Sequence, residues 1–371
     1  MKIGLLTSSR ADFGIYLPLL KELVKDDFFE LKIIAFGTHL SDFHGKTINQ
    51  IENLGFNVSY TIESMLLTDS ASSISTAIGL TTIKFADFWN KHSDSFELVF
   101  CLGDRYEMFA AVTAGIPFQI PFAHIHGGET TIGAIDNVFR HSITLASKCH
   151  FVSTQNHAKR VAQITGSEEN IFDIGALSLD NLNDITLLSI KEFKSKWGID
   201  LSLPTMLTTF HPETVAAEQN SHYAGQLVET LANLADYQVL VTMPNADTSG
   251  NIVRKALIDN FSNNKRVFLI ENLGTQSYFS AMKYCSFLLG NTSSGIIEAA
   301  SFNKYVINLG DRQKGRTAGG NIIHVPIDSS KIIEAVNKIG QDNSYTGENI
   351  YYKRNSAKLI TNIVKNYESY R

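Results

Sequence analysis

Cysteine is scarce in this chain: Cys101, Cys149 and Cys285 are the only three among 371 residues, and no two make a Cys-x-x-Cys pair. Their odd number and their positions in or beside apolar strand-like runs exclude a disulfide scaffold. They read as reduced core thiols of a protein in a reducing, cytoplasmic compartment. No apolar run approaches the ~20 residues that a membrane-spanning helix needs. The opening Met1-Lys2-Ile3-Gly4-Leu5-Leu6-Thr7 stops at Ser8, Ser9 and Arg10, so it reads as a strand and not as a signal peptide. Excess positive charge is missing too. Net charge is −5 and pI about 6.1, which gives no basic face for duplex nucleic acid. No Gly-x-Gly occurs anywhere, so the dinucleotide fingerprint is absent. Gly45-Lys46-Thr47 has Leu40 where a phosphate-binding P-loop needs glycine, and Gly290–Gly295 lacks the spacing of a nucleophile elbow. Internal repeats and low-complexity tracts are likewise absent.

What is present is alternation. With 44% hydrophobic and 19% charged residues, burial can offset chain entropy, and the length suggests two domains. Strand-like runs at Lys2–Thr7, Leu31–Phe36, Leu98–Leu102, Pro121–Ile125 and Cys149–Ser153 alternate with helical patterns such as Ile15–Val24, Ser72–Lys91, Arg105–Ala114 and Asp136–Ala146. Several runs are continuously apolar, as parallel strands covered on both faces should be. The alternation restarts after residue 200, with strands at Met206–Phe210, Gln238–Met243, Val267–Glu271, Phe287–Leu289 and Tyr305–Leu309. The pattern predicts two Rossmann-like α/β domains, 1–175 and 185–349, and a basic, solvated closing helix over 350–371. Gly175–Asp184 reads as a hinge, and ligands are expected at strand carboxyl ends facing a cleft between the domains.

Four strand ends carry polar clusters. Thr7–Gly14 follows the first strand; Asp12 reads as a helix cap, and Arg10 can grip a phosphate bidentately. Leu102–Glu107 places Asp104 at a strand end, either as a cap or aimed at the site. His124-Ile125-His126-Gly127-Gly128-Glu129 offers paired glycines for close ligand approach and a carboxylate beside it. Gly290–Glu298 runs from a strand into small polar residues that open a helix. There Ser293, Ser294 and Gly295 would present N–H groups to a diphosphate, and Glu298 would meet ribose hydroxyls. His124 and His126, two apart on a strand, share a face and raise the question of zinc. None of the familiar ligand spacings is present, so no metal is assigned.

Taken in order, these stretches resemble the hydrolysing UDP-N-acetylglucosamine 2-epimerase family, in particular its sialic-acid-pathway branch. The likeness rests on Ser9–Gly14, Gly103-Asp104-Arg105, His124–Glu129, Ile135-Asp136 with Arg140-His141, Phe210-His211-Pro212, Pro244–Asp247, Gly290–Glu298 and Gly310–Arg316. It spans almost the whole chain. It implies a GT-B-type fold and a homo-oligomer, a homodimer or homotetramer, while the missing Gly-x-Gly and P-loop motifs predict turnover without a cofactor. Asp104, Glu129 and Asp136 would then transfer protons. Arg10 and His211 would hold or activate the leaving diphosphate. Asn245, Ser293, Ser294, Gly295 and Glu298 would bind the UDP-sugar. One departure stands out: Asn137 occupies a position where the family often has a second acid, and Asn cannot exchange a proton as a carboxylate does. The implied reaction is elimination of UDP from UDP-N-acetylglucosamine, then hydration of the glycal to N-acetylmannosamine. The same motifs also suit UDP-2,4-diacetamido-2,4,6-trideoxyglucose, a GT-B glycosyltransferase, or a nucleotide-sugar binding module.

Overall fold

The computed structural model describes all residues except 43–44, 67–69, 131–134, 214–216, 245–249, 341–343 and 367–371. Two compact units emerge. The first comprises Met1–Glu129, Ile135–Asn183 and the stretch from Tyr351 onward; the second takes in Asp184–Ile350.

The first unit holds seven strands: β1 (Lys2–Thr7), β2 (Glu30–Phe36), β3 (Val58–Ile62), β4 (Leu98–Leu102), β5 (Phe122–Ile125), β6 (Cys149–Val152) and β7 (Ile171–Asp173). They form one sheet in the order β3-β2-β1-β4-β5-β6-β7, with every pairing parallel. The second unit holds β8 (Thr205–Thr209), β9 (Gln238–Thr242), β10 (Val267–Ile270), β11 (Phe287–Gly290), β12 (Val306–Leu309) and β13 (Ile322–Val325). Their order, β10-β9-β8-β11-β12-β13, is parallel throughout. Both are Rossmann-like. Strand order reverses between β1 and β4 in one sheet and between β8 and β11 in the other, and such reversals open the crevice where α/β sheets take ligands.

The apolar runs explain the layers. All five residues of β4 are buried, as are all four of β5, β6, β11 and β12, because helices cover both faces. On one side of the first sheet, Phe85, Phe88, Trp89, Phe96 and Phe122 pack edge to face, and Trp89 Nε1 donates to Ala111 O at 3.0 Å. Strands β3, β7 and β13 went unread in the sequence. They are short edge strands, only partly buried, so their hydrophobic signal is weak.

Two expectations change. The helix Ser356–Asn366 is not simply solvated: Ala357, Ile360 and Val364 sit in the core with Leu19, Leu20 and Leu23, while Lys365 pairs with Asp26 outside. The stretch read as a hinge is packed into the first unit. Asp180 Oδ2 accepts from Ala357 N at 2.8 Å, and Asn181 Nδ2 donates to Gly14 O at 3.0 Å.

Candidate functional site

At the end of β1 the chain turns into the helix Arg10–Val24. Ser9, not Asp12, is the N-cap. Asp12 stands three residues on, and its carboxylate accepts from Ser8 N (2.9 Å), Ser8 Oγ (2.6 Å) and Ser9 Oγ (2.8 Å). Those bonds fix the turn and leave Arg10 exposed at the first helical position. Below, His39 bridges Thr7 Oγ1 (2.9 Å) and Thr47 Oγ1 (2.8 Å), and burial pushes its pKa down to about 4.

The carboxylates expected at the site gather round one residue the sequence reading quoted without a role. Arg140 is 3% exposed on the helix Asp136–Ala146. Its Nη2 binds Asp104 Oδ2, its Nη1 donates to His126 O at 2.8 Å, and Nη1 lies 3.5 Å from Glu129 Oε2. Burial works against the guanidinium charge, yet Asp104 and Glu129 outweigh it and hold its pKa above the ordinary value. Asp104 and Glu129, from the ends of β4 and β5, are thus brought together. Asp136 lies one turn before Arg140, exposed at the helix start, and adds to that field.

Glu129, 4% exposed, is held from further sides. Its Oε1 meets His126 Nδ1 at 2.8 Å and accepts from Ser153 Oγ at 3.1 Å; Ser153 Oγ lies 2.9 Å from His157 Nδ1. Gly128 lets this happen: its φ is +77°, and a Cβ there would lie 2.4 Å from His157 O.

The paired-histidine expectation fails for a backbone reason. β5 ends at Ile125 and His126 turns left-handed at φ 65°, so strand alternation does not reach it. His124 also spends both ring nitrogens on protein, Nε2 with Gly103 O (2.8 Å) and Nδ1 with Thr144 Oγ1 (3.1 Å). Burial lowers its pKa to about 3. Among the described residues no cluster of three or more metal-ligating side chains occurs.

In the second unit the hub is Asn291, at the end of β11. Its Oδ1 accepts from His211 N and its Nδ2 donates to His211 O, both at 2.8 Å, tying the ends of β8 and β11 together. Its carbonyl accepts from Arg312 Nη1 (3.0 Å) and Gln313 Nε2 (2.9 Å) of the loop after β12. Gly290, at φ 148°, has no room for a Cβ, which would lie 1.9 Å from Thr209 O. The helix Ser293–Ile297 follows, capped by Thr292, whose Oγ1 already takes the Gly295 N–H at 3.1 Å. Ser293 is exposed, Ser294 half-buried and Glu298 buried. Tyr278, absent from the sequence-based set, joins them. Burial raises its phenol above the ordinary range, while hydrogen bonds to Ser294, Thr292 and Thr209 oppose the rise. Beyond β12, an open cavity of about 430 Å³ is bounded by Gly310, Lys314, Arg316 and His324. Asn245 lies outside the described residues.

Each unit thus gathers polar groups at strand carboxyl ends, carboxylates after β4 and β5 in the first and small hydroxyl residues after β11 in the second. A family model described as UDP-N-acetylglucosamine 2-epimerase matches residues 21–365. The chain belongs to that family. Among relatives of this epimerase-family chain, a UDP-N,N'-diacetylbacillosamine 2-epimerase (hydrolyzing) of Legionella pneumophila is 33% identical, over 100% of this chain and 99% of its own. Polysialic acid biosynthesis protein P7 of Escherichia coli is 32% identical, over 99% and 94%. The UDP-GlcNAc 2-epimerase of Neisseria meningitidis, solved with UDP-GlcNAc, superposes with a TM-score of 0.82 at 19% identity, covering 99% of this chain and 100% of that one. This last likeness concerns the fold.

Proposed function

We propose that this epimerase-family chain converts UDP-N-acetylglucosamine to UDP and N-acetylmannosamine by elimination and hydration. The observation that carries the chemistry is the buried Arg140 holding Asp104 and Glu129 side by side at adjacent strand ends. No carbonyl acidifies the C2 proton of the sugar, so inversion needs a positioned base. One carboxylate removes that proton as the C1–O bond breaks and UDP departs, leaving a glycal. Water then adds its oxygen to C1, and an acid delivers a proton to C2 from the other face. One step needs an ionised carboxylate as base and the other a protonated one as acid. Arg10 and His211 suit the charge developing on the diphosphate. Ser293, Ser294 and Glu298 suit UDP, and Gly295 serves by its smallness, since its N–H is already engaged.

The substrate's C4 and C6 groups are a second question. The Legionella pneumophila and Campylobacter jejuni relatives are named for diacetylbacillosamine, at 33% and 34% identity. That favours the 4-acetamido-6-deoxy sugar as the second reading. NMR of the products formed from each UDP-sugar separates the two. Retention of the UDP-sugar with inverted C2 would point to a non-hydrolysing epimerase, and transfer to an acceptor to a glycosyltransferase.

The reaction runs without added NAD, ATP or metal under this proposal, in the cytoplasm and in a homodimer or homotetramer. The three cysteines are buried and none is in a disulfide, consistent with a reducing compartment. Exposed Ile83, Val138 and Leu145 on helices of the first unit offer apolar surface for a second copy. No helix among the described residues is long and apolar enough to cross a membrane. In deuterated water the product should carry deuterium at C2. Product without it refutes elimination and hydration.

A further inference from the structure

The pairing of β8 with β11 ends at Thr209 and Gly290, and residues 210–213 leave the sheet as irregular chain. That segment carries His211, and its backbone groups need partners that the sheet no longer supplies. Pro212 contributes no N–H and holds the residue before it to extended backbone. Two side-chain amides supply the missing rungs. Asn291 Oδ1 accepts from His211 N and its Nδ2 donates to His211 O, both at 2.8 Å. Asn220 does the same for Glu213, both bonds at 2.9 Å. Both asparagines are 0% exposed. The two clamps serve different ends. The backbone of Asn291 is fixed apart from its side chain, by its N–H on Thr209 O at 3.1 Å and by Arg312 and Gln313 on its carbonyl. Its amide is therefore left to set where His211 stands. Asn220 opens the helix Asn220–Asn233 and grips Glu213, whose Oε1 accepts from Asp311 N at 2.7 Å, so that clamp joins two loops without bonding His211. We propose that Asn291 is a positioning residue for His211, whose imidazole it holds where the diphosphate is met; the inference rests on the function proposed above.

The clamp works because a carboxamide offers a donor and an acceptor side by side, as the peptide of a neighbouring strand does. A carboxylate in its place would still accept from His211 N. Its second oxygen would face His211 O, acceptor against acceptor, and push the segment away. Once protonated, the same group donates an O–H to that carbonyl and the clamp is whole again. Burial and the facing carbonyl both disfavour the charged form, so a carboxyl placed there titrates above its ordinary range. Asn291→Asp should thus hold His211 at low pH and release it at high pH.

UDP binding is measured by calorimetry at pH 6.5 and pH 9, each variant against the wild type at the same pH. His211→Ala should weaken UDP ~10-fold or more, the usual worth of a hydrogen bond to a charged group. Asn291→Ala should weaken it by a similar factor, but by less than ~2-fold when His211 is already alanine, because its effect passes through that ring. Asn291→Asp should bind near wild type at pH 6.5 and ~10-fold more weakly at pH 9. Asn220→Ala is the matched control, since it removes an equal pair of buried bonds. Urea unfolding followed by Trp197 fluorescence in a Trp89→Phe background should show it as destabilised as Asn291→Ala, while its UDP affinity stays near wild type. Equal weakening of UDP by the two alanine variants makes the amide a brace of the fold only and overturns the proposal. So does an Asn291 effect that persists in full without the His211 ring, or an Asn291→Asp variant with wild-type affinity at pH 9. A His211→Ala variant that binds UDP as the wild type does overturns the part played by His211 itself, a failure of the function reading that shows in this one variant.

Discussion

Burial of neutral histidines should make the first unit fragile towards acid. His39, His124 and His150 are 0%, 0% and 3% exposed, and burial, the leading cause in each, lowers their pKa from 6.5 to about 4, about 3 and about 4. In the unfolded chain each titrates near 6.5, so between these values the unfolded state binds more protons. Stability is therefore fully present above pH 6.5 and is lost as pH falls towards the folded values. At pH 5.5, one pH unit below the unfolded pKa, each histidine costs about 1.4 kcal/mol, so the three together cost about 4 kcal/mol relative to pH 7.5, a large share of a typical domain's stability. The two tryptophans permit a clean assay, because Trp89 lies in the first unit and Trp197 in the second. In a Trp197→Phe background, urea unfolding followed by Trp89 fluorescence reports the first unit. His150→Phe should remove about a third of the pH slope; its Nδ1 has no hydrogen-bond partner among the described residues, so little bonding is lost with it. A first unit equally stable at pH 7.5 and 5.5, or a variant with the full slope, refutes the reasoning.

Asp104→Asn and Glu129→Gln should each lower turnover ~10²-fold or more while UDP affinity by calorimetry stays near wild type; a parallel loss of UDP affinity would move these residues to the nucleotide. Glu298→Ala should weaken UDP binding in a protein whose far-UV circular dichroism is unchanged, and unaltered affinity removes the ribose assignment. Gly290→Ala should destabilise the second unit, because the new methyl meets Thr209 O at 1.9 Å and the backbone sits at positive φ. Urea unfolding followed by Trp197 fluorescence in a Trp89→Phe background checks it, and wild-type stability there would show that the two strand ends part readily.

The sheets were legible because their signal is local. A parallel strand buried on both faces must be apolar along its length, and β1 and β4 could be bounded to the residue from that alone. Strand-end clusters were legible for the same reason, since a run of apolar residues that stops at Gly-Asp-Arg or Gly-Asn-Thr-Ser marks where backbone leaves the sheet. Edge strands carry less of that signal, and a helix that docks far from its sequence neighbours, such as Ser356–Asn366, shows its amphipathic face but not its destination.

What was hidden is the wiring between clusters. Arg140 sits 11 residues after Glu129 and 36 after Asp104, and only the β4-β5 pairing brings the three together. Its one local signal was the spacing of four from Asp136, which places both on one helix face. Asn291 looked like one more small polar residue, yet it fastens His211 from 80 positions away. His126 erred the other way. Strand periodicity was carried one residue past Ile125, into a left-handed turn that the following glycines had announced. The contrast follows from what each residue type must satisfy. An apolar side chain asks only to be covered, and periodicity says on which face. A buried charge or amide asks for particular partners, and the chain supplies them from wherever the topology has brought them.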